Sequence, residues 1–254
     1  MYYGIGNDTP KSAEEQYDYY QFLLEPIFLK QMFHKYLFIG AGFRYNHIFK
    51  TEIDPNGLIA IEQRNGFDGS TSVGAEVAVL FDSRSNILNS HDGWYFEFTH
   101  GLYDKVLGGT NKFNLTRFDL RHYFDVSVKN DDVLAFQVRG QFARQDLPFS
   151  EYSFFGGSEI MRGYQEGRFV DRDLLATQVE YRKNFKDSRW GLVGFAGTGD
   201  VYHNVKDFQF KNLKPNYGFG ARFSIDKAEN LNLRFDVGFG KDKSGFYLGI
   251  AEAF

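Results

Sequence analysis

The segment LNLRFDVGF, residues 231–239, decides the fold. Every odd-numbered residue in it is apolar, whereas the even-numbered residues are Asn, Arg, Asp and Gly. Because successive side chains of an extended chain point to opposite faces, this alternation predicts a β-strand with one apolar and one charged face. The fold must therefore place an apolar medium on one side of the strand and an aqueous one on the other.

The same alternation recurs along most of the chain. Glu76 and Val77 fall on opposite faces of one segment, and Val179 and Glu180 on opposite faces of another. The pattern predicts about eleven strands, and residues 1–6 are predicted to be the remnant of a twelfth. The predicted strands lie near residues 17–30, 36–50, 71–82, 94–105, 113–126, 133–145, 174–184, 190–202, 216–225, 231–240 and 246–254.

The connections between these strands alternate in length. Short polar turns are predicted near 31–35, 128–132, 186–189 and 226–230, and the longest loop at about 147–173. Short turns at one rim and long loops at the other are typical of a membrane barrel. A soluble β-sandwich also alternates, but its packed inner faces exclude mid-strand charges of the kind found here. We therefore expect one domain over 1–254, an all-β antiparallel transmembrane β-barrel with its apolar face in lipid.

The composition excludes several other classes. The 254 residues include 29 Phe and 16 Tyr, yet no apolar run approaches the roughly 20 residues of a membrane-spanning helix. A net charge of −4 gives no reason to expect a nucleic-acid partner. Cysteine is absent, the six histidines form no metal-binding or Ser–His pattern, and we expect neither an enzyme nor a cofactor.

One segment of the long loop carries a motif. Residues 148–173 contain Met161-Arg162-Gly163-Tyr164, with Gly156-Gly157 before it and Gly167-Arg168 after it. This motif resembles the inserted loop of the BamA/TamA-type surface-antigen barrel superfamily, in which five strands follow the loop, as they do here. The turn at 82–93, with its Asp-x-Arg-x-Asn pattern, is also similar to a turn of that superfamily, and the resemblance covers nearly the whole chain.

The resemblance implies that the loop folds into the lumen and that Glu180 holds Arg162. Two other arrangements fit the residues: Glu180 could pair with Arg182 or Arg139, and Arg162 could be a solvated loop residue. A second acidic anchor is expected in the superfamily's Phe-x-Asp-x-Gly-x-Val motif, but this chain has Gly197 at the aspartate position.

The resemblance also implies a sixteen-stranded barrel, of which this chain would hold strands six to sixteen and be incomplete at its N-terminus. It implies a Gram-negative outer-membrane location, contact with lipid and lipopolysaccharide, dependence on the barrel assembly machinery and possible client outer-membrane proteins. The function implied is protein insertion, assembly or translocation; the alternative is a lone or anchoring barrel, or a passive pore. The last strand would carry an assembly signal formed by Phe246, Leu248, Ile250 and Phe254.

Overall fold

The computed structural model describes residues 1–127, 132–185, 187–226, 230–241 and 243–254. Within them the chain forms fourteen β-strands, one short α-helix and five 3₁₀ turns. The strands are β1 (Asp18–Leu24), β2 (Ile27–Gln31), β3 (Leu37–Glu52), β4 (Ser70–Asp82), β5 (Gly93–Tyr103), β6 (Phe113–Asp125), β7 (Val133–Gln145), β8 (Ser153–Phe155), β9 (Phe169–Asp171), β10 (Asp173–Asn184), β11 (Trp190–Tyr202), β12 (Lys214–Asp226), β13 (Leu231–Phe239) and β14 (Ser244–Ile250). The helix is α1 (Leu58–Glu62), and the 3₁₀ turns are Lys11–Ala13, Lys105–Leu107, Phe149–Glu151, Val205–Asp207 and Phe210–Asn212. None of the helices in the described part of the chain has the length and hydrophobicity needed to cross a bilayer.

Twelve strands form one antiparallel sheet whose order follows the chain, except that both β1 and β2 pair with β3. Its order is β1–β3–β4–β5–β6–β7–β10–β11–β12–β13–β14, and β2 also pairs with β3. The remaining two strands, β8 and β9, form a separate hairpin inside the long loop. The predicted all-β antiparallel fold is confirmed, and each strand of the main sheet lies where a strand was predicted, with changes at the two ends of the sheet.

The first strand is interrupted, contrary to the single strand predicted over 17–30. The break falls at Glu25 and Pro26, between β1 and β2. Proline has no N–H for a sheet ladder, so it is confined to positions such as the edge of a sheet. A Cβ atom on Gly40 or Gly42 would lie 1.9 Å or 2.2 Å from the backbone of the segment around β2. These glycines therefore allow β2 to approach β3 more closely than ordinary residues would.

The predicted twelfth strand at residues 1–6 was wrong. That segment makes two isolated bridges, Tyr2 with Glu15 and Gly6 with Val170. The rings of Tyr2 and Phe67 meet edge to face, with their centroids 5.5 Å apart. The segment therefore packs on the long loops at one end of the sheet instead of extending the sheet.

The polar face of the sheet points inward and the apolar face points outward, as predicted. Glu76, Glu180 and Arg234 are buried on the inner face, whereas Val77 is 55% exposed on the outer face. A strand of 13 residues is about 43 Å long, and with a tilt of about 45° it would cross about 30 Å, the thickness of a hydrocarbon core. The sheet is thus long enough to span a bilayer with its apolar face in lipid.

The turn after β4 is fixed by contacts among its own side chains and backbone. In the turn after β4, the guanidinium of Arg84 donates to both oxygens of Asp82 at 2.9 and 2.7 Å, and Asn86 accepts from the backbone of Leu88 and Asn89. These contacts explain the Asp-x-Arg-x-Asn pattern as turn chemistry. The predicted turns at 128–132, 186–189 and 226–230 include residues outside the described ones.

Candidate functional site

Residues 147–173 lie within the curve of the sheet. The hairpin of β8 and β9 forms the stem of this inserted loop, and Phe155, Met161, Tyr164 and Phe169 pack in one buried cluster with Leu174 of β10. The loop touches the wall on several sides, because Ser150 bonds to Ser70 of β4 while its tip reaches β12, β13 and β14. The loop therefore occupies part of the lumen, and a cavity of about 590 Å³ remains between it and β5, β6 and β7.

Arg162, at the tip of the inserted loop, is completely buried. The terminal nitrogen Nη2 donates to Glu180 of β10, and the other terminal nitrogen, Nη1, donates to a carboxylate oxygen of Asp236 on β13 at 2.6 Å. The guanidinium also lies over the ring of Phe195, 3.6 Å from its centroid. A buried arginine between two carboxylates and an aromatic face holds a fixed position, because the planar group satisfies each partner in only one orientation.

The other residues of the motif fit the tip against the last strands. The Gly163 N–H donates to the Tyr247 hydroxyl of β14 at 2.8 Å. The hydroxyl of Tyr164 donates to the carbonyl of Pro215 and accepts from the N–H of Lys241. Met161 has a φ of +56° and is fully buried.

The Gly156-Gly157 pair shapes the far side of the same tip. Both glycines have positive φ, and the Gly157 N–H donates to the carbonyl of Tyr164 at 3.2 Å. A Cβ atom on Gly156 would lie 2.5 Å from the carbonyl oxygen of Gln165, whereas one on Gly157 would meet nothing within 4 Å. Both glycines therefore shape the tip through their positive φ, and Gly156 in addition lies close to the backbone of Gln165.

The structure places the sequence-predicted residues as follows. Glu180 contacts Arg162 and also Arg182, at 3.0 Å, so that two of the alternatives occur together. Arg139 instead lies 3.8 Å from Glu159. The second acid, expected where the chain has Gly197, is supplied by Asp236, two strands farther along the sheet.

Asp236 was not singled out from the sequence. It stands on the polar face of β13, and that face was known from the alternation. The spacing of residues does not show which inward carboxylate faces the loop tip across the lumen. A Cβ atom on Gly238, the next inward position, would lie 2.7 Å from the carbonyl carbon of Arg162, so the tip rests directly on this strand.

The base of the inserted loop has an anchor of its own. Glu151 is buried and accepts from Arg44 at 2.5 Å and from Asn46 at 2.7 Å, both on β3. Arg44 also bonds to Glu25, at the break in the first strand. Arg117 of β6 joins the same group through Glu25. The loop is thus held at its base next to the first strand and at its tip next to the last strand.

Around the loop tip, six buried charges form a closed ring with alternating signs. Its members, each in contact with the next, are Arg162, Glu180, Arg182, Glu252, Arg222 and Asp236. Burial raises the pKa of Glu252, but the guanidinium groups of Arg222 and Arg182 lower that pKa by more, and the net shift is downward. Glu252 is therefore a carboxylate at neutral pH.

Three of the four residues of the predicted terminal signal lie on the outer face. Phe246, Leu248 and Ile250 are exposed on alternate positions of β14. Phe254 is not on this strand, which ends at Ile250, and its side chain is only 7% exposed in the lumen, near Tyr123. The expectation that Phe254 continues the outer face of the last strand is corrected. A continued strand would also place the charge of Glu252 in lipid.

An antiparallel sheet with a lipid-type outer face, a charged lumen and an inserted loop anchored through an arginine defines an outer-membrane β-barrel. A family model described as the Omp85 superfamily domain matches residues 7–254, so the chain belongs to the Omp85 superfamily. This assignment confirms the resemblance to the surface-antigen barrels.

Two solved structures share the fold. A BamA from Haemophilus ducreyi lacking POTRA domains 1–3 aligns with a TM-score of 0.59 and 12% identity, over 84% of this chain and 50% of that one. CdiB from Acinetobacter baumannii aligns with a TM-score of 0.62 and 15% identity, over 94% of this chain and 44% of that one. This chain thus spans about half the length of either structure. A search of curated proteins found no significant relative.

Proposed function

We propose that this chain takes part in inserting or translocating proteins at the bacterial outer membrane, with the edge of β14 as the place where a client strand pairs. The proposal is based on the two ends of the sheet, where each terminal strand pairs on one side only in the described part of the chain. In the described part of the chain β14 pairs with β13 alone, and the broken first strand pairs with β3 alone.

The chemistry of the β14 edge favours strand addition. Phe246, Leu248 and Ile250 give β14 an outer face suited to lipid, where an unpaired backbone N–H or C=O costs several kcal/mol. An incoming strand would satisfy these groups, as in other cases of β-augmentation.

Site-specific cross-linking tests this proposal. A photoreactive amino acid is placed at Leu248 on β14 of the protein in liposomes, and a radiolabelled, unfolded outer-membrane barrel protein is added as the client. We expect cross-links to the client from Leu248 and few from Phe219, which is equally exposed on β12 but lies between two paired strands. Equal yields at the two positions, or none at Leu248, would contradict pairing at this edge.

A passive pore is the competing function, and it makes an opposite prediction for the inserted loop. Because the loop crosses the lumen and is anchored at both ends, the full chain should show a smaller single-channel conductance than a variant that lacks residues 150–172. A large conductance in the full chain, unchanged by the deletion, would support the pore instead.

A further inference from the structure

The chain leaves the sheet abruptly after β14. Ala251 has a φ of +69°, a left-handed conformation that costs a non-glycine residue about 1–2 kcal/mol. Its N–H donates to the carbonyl of Asn232, and the next N–H, of Glu252, donates to Leu88 in the turn after β4. Residues 251–254, called the tail below, therefore turn into the lumen, and contacts beyond the bend must offset its cost.

Side chains of β10, β12 and β13 hold the tail. A carboxylate oxygen of Glu252 lies 2.7 Å from Arg222, and the other accepts from Asn232 at 2.9 Å. Arg182 places its guanidinium 5.2 Å from the centroid of the Phe254 ring. Ala253 and Phe254 also pack in a buried cluster with Tyr123, Val133 and Ala135 of β6 and β7. These strands lie in the middle of the sheet, far from β14 in the strand order.

The charge ring joins this tail to the inserted loop by two routes. On one side Glu252 meets Arg182, which meets Glu180, which meets Arg162. On the other side Glu252 meets Arg222, which meets Asp236, which also meets Arg162. Because all six groups are buried, loss of one charge leaves its neighbours with an uncompensated charge in a medium where that is costly.

We propose that Glu252 is a positioning residue that couples the end of β14 to the tip of the inserted loop, so that each is held more firmly while the other is seated. Movement of β14 then loosens Arg162, and release of the loop loosens β14. The coupling stands on the geometry alone, while its use in admitting a client strand rests on the function proposed above.

Hydrogen exchange of the folded full chain tests the coupling without any client. In Glu252→Gln the shape and the bond to Asn232 are kept and the charge is lost. We expect amide exchange to rise about tenfold in both 244–250 and 156–166, a typical size for coupling between two sites. The Gly163 N–H, bonded to Tyr247, is the most direct reporter of the loop tip.

A matched variant separates coupling from general loosening. Glu76 is equally buried in the lumen, but its partners are Arg117 and Tyr103, and it contacts neither the ring nor the tail. Glu76→Gln should leave both reporter segments within about twofold of the unmodified chain, well below the coupled effect. Faster exchange in 244–250 alone, or equal effects of the two variants, would overturn the proposal.

Phe254→Ala provides a second test should Glu252→Gln not fold. It removes the ring that holds the tail but changes no charge. The proposal requires 156–166 and 244–250 to respond together again, and a response confined to 244–250 would overturn it. Failure of the Leu248 cross-linking, with the exchange result intact, would reject the client edge and leave the coupling standing.

Discussion

Replacing Arg162 by alanine is expected to lower the free energy of unfolding of the barrel by about 3–5 kcal/mol, the usual cost of removing one partner from a buried charge group. The side chain is fully buried, and its loss leaves Glu180 and Asp236 each with fewer cations inside the lumen. The stacking contact over Phe195 is lost as well. Denaturant unfolding in detergent measures the loss, and heat-modifiable migration on a gel should show a smaller folded fraction.

Arg162→Lys is the informative control for this prediction. Lysine keeps the charge, but its single ammonium cannot bond Glu180 and Asp236 in the fork that a guanidinium provides. An intermediate loss is therefore expected. An alanine variant that unfolds and migrates like the unmodified chain would show that the loop tip does not support the barrel.

The strands could be predicted from the sequence because each side chain has to face either lipid or the lumen. At Val77 and Glu76, or at Phe235 and Arg234, the choice of face is decided by the residue itself. This local rule works wherever a strand continues. It also explains why the Arg162 motif could be placed on a loop, since the stretch around Arg162 does not alternate.

The features that the sequence did not predict depend on where strands end and on which side chains contact each other across the lumen. The sequence predicted one strand over 17–30, and Pro26 was the available sign of a break in it. Only the approach of β2 to Gly40 and Gly42 shows how the break is accommodated. Glu252 falls in line with Phe246 and Ile250, and a charge at that outward position was the available sign that the last strand had ended. The pairing of Asp236 with Arg162 gives no local signal, because 74 positions separate the two residues.

Replacing Gly163 by alanine is expected to dislodge the loop tip, for two separable reasons. Its φ of +104° is a conformation that costs a side-chain-bearing residue about 1–3 kcal/mol. In addition, a Cβ atom would lie 2.5 Å from the carbonyl carbon of Phe239 and 2.6 Å from the nitrogen of Gly240. Such overlap adds a cost of about 1–3 kcal/mol. Since the neighbours are backbone atoms, the tip has to move away from β13, and the bond from Gly163 to Tyr247 is lost with it.

Two other glycines isolate these contributions to the Gly163→Ala effect. Gly157 has a φ of +132° but open space around a Cβ atom, so Gly157→Ala carries the conformational cost without the overlap. Gly194 has neither a positive φ nor a neighbour within 4 Å, and Gly194→Ala should be nearly neutral. Unfolding free energies should therefore fall in the order Gly194→Ala, Gly157→Ala, Gly163→Ala, with the last the most destabilised. If Gly163→Ala were no worse than Gly157→Ala, the tip would not be pressed against β13, and the anchoring of Arg162 between Glu180 and Asp236 would lose its geometric basis.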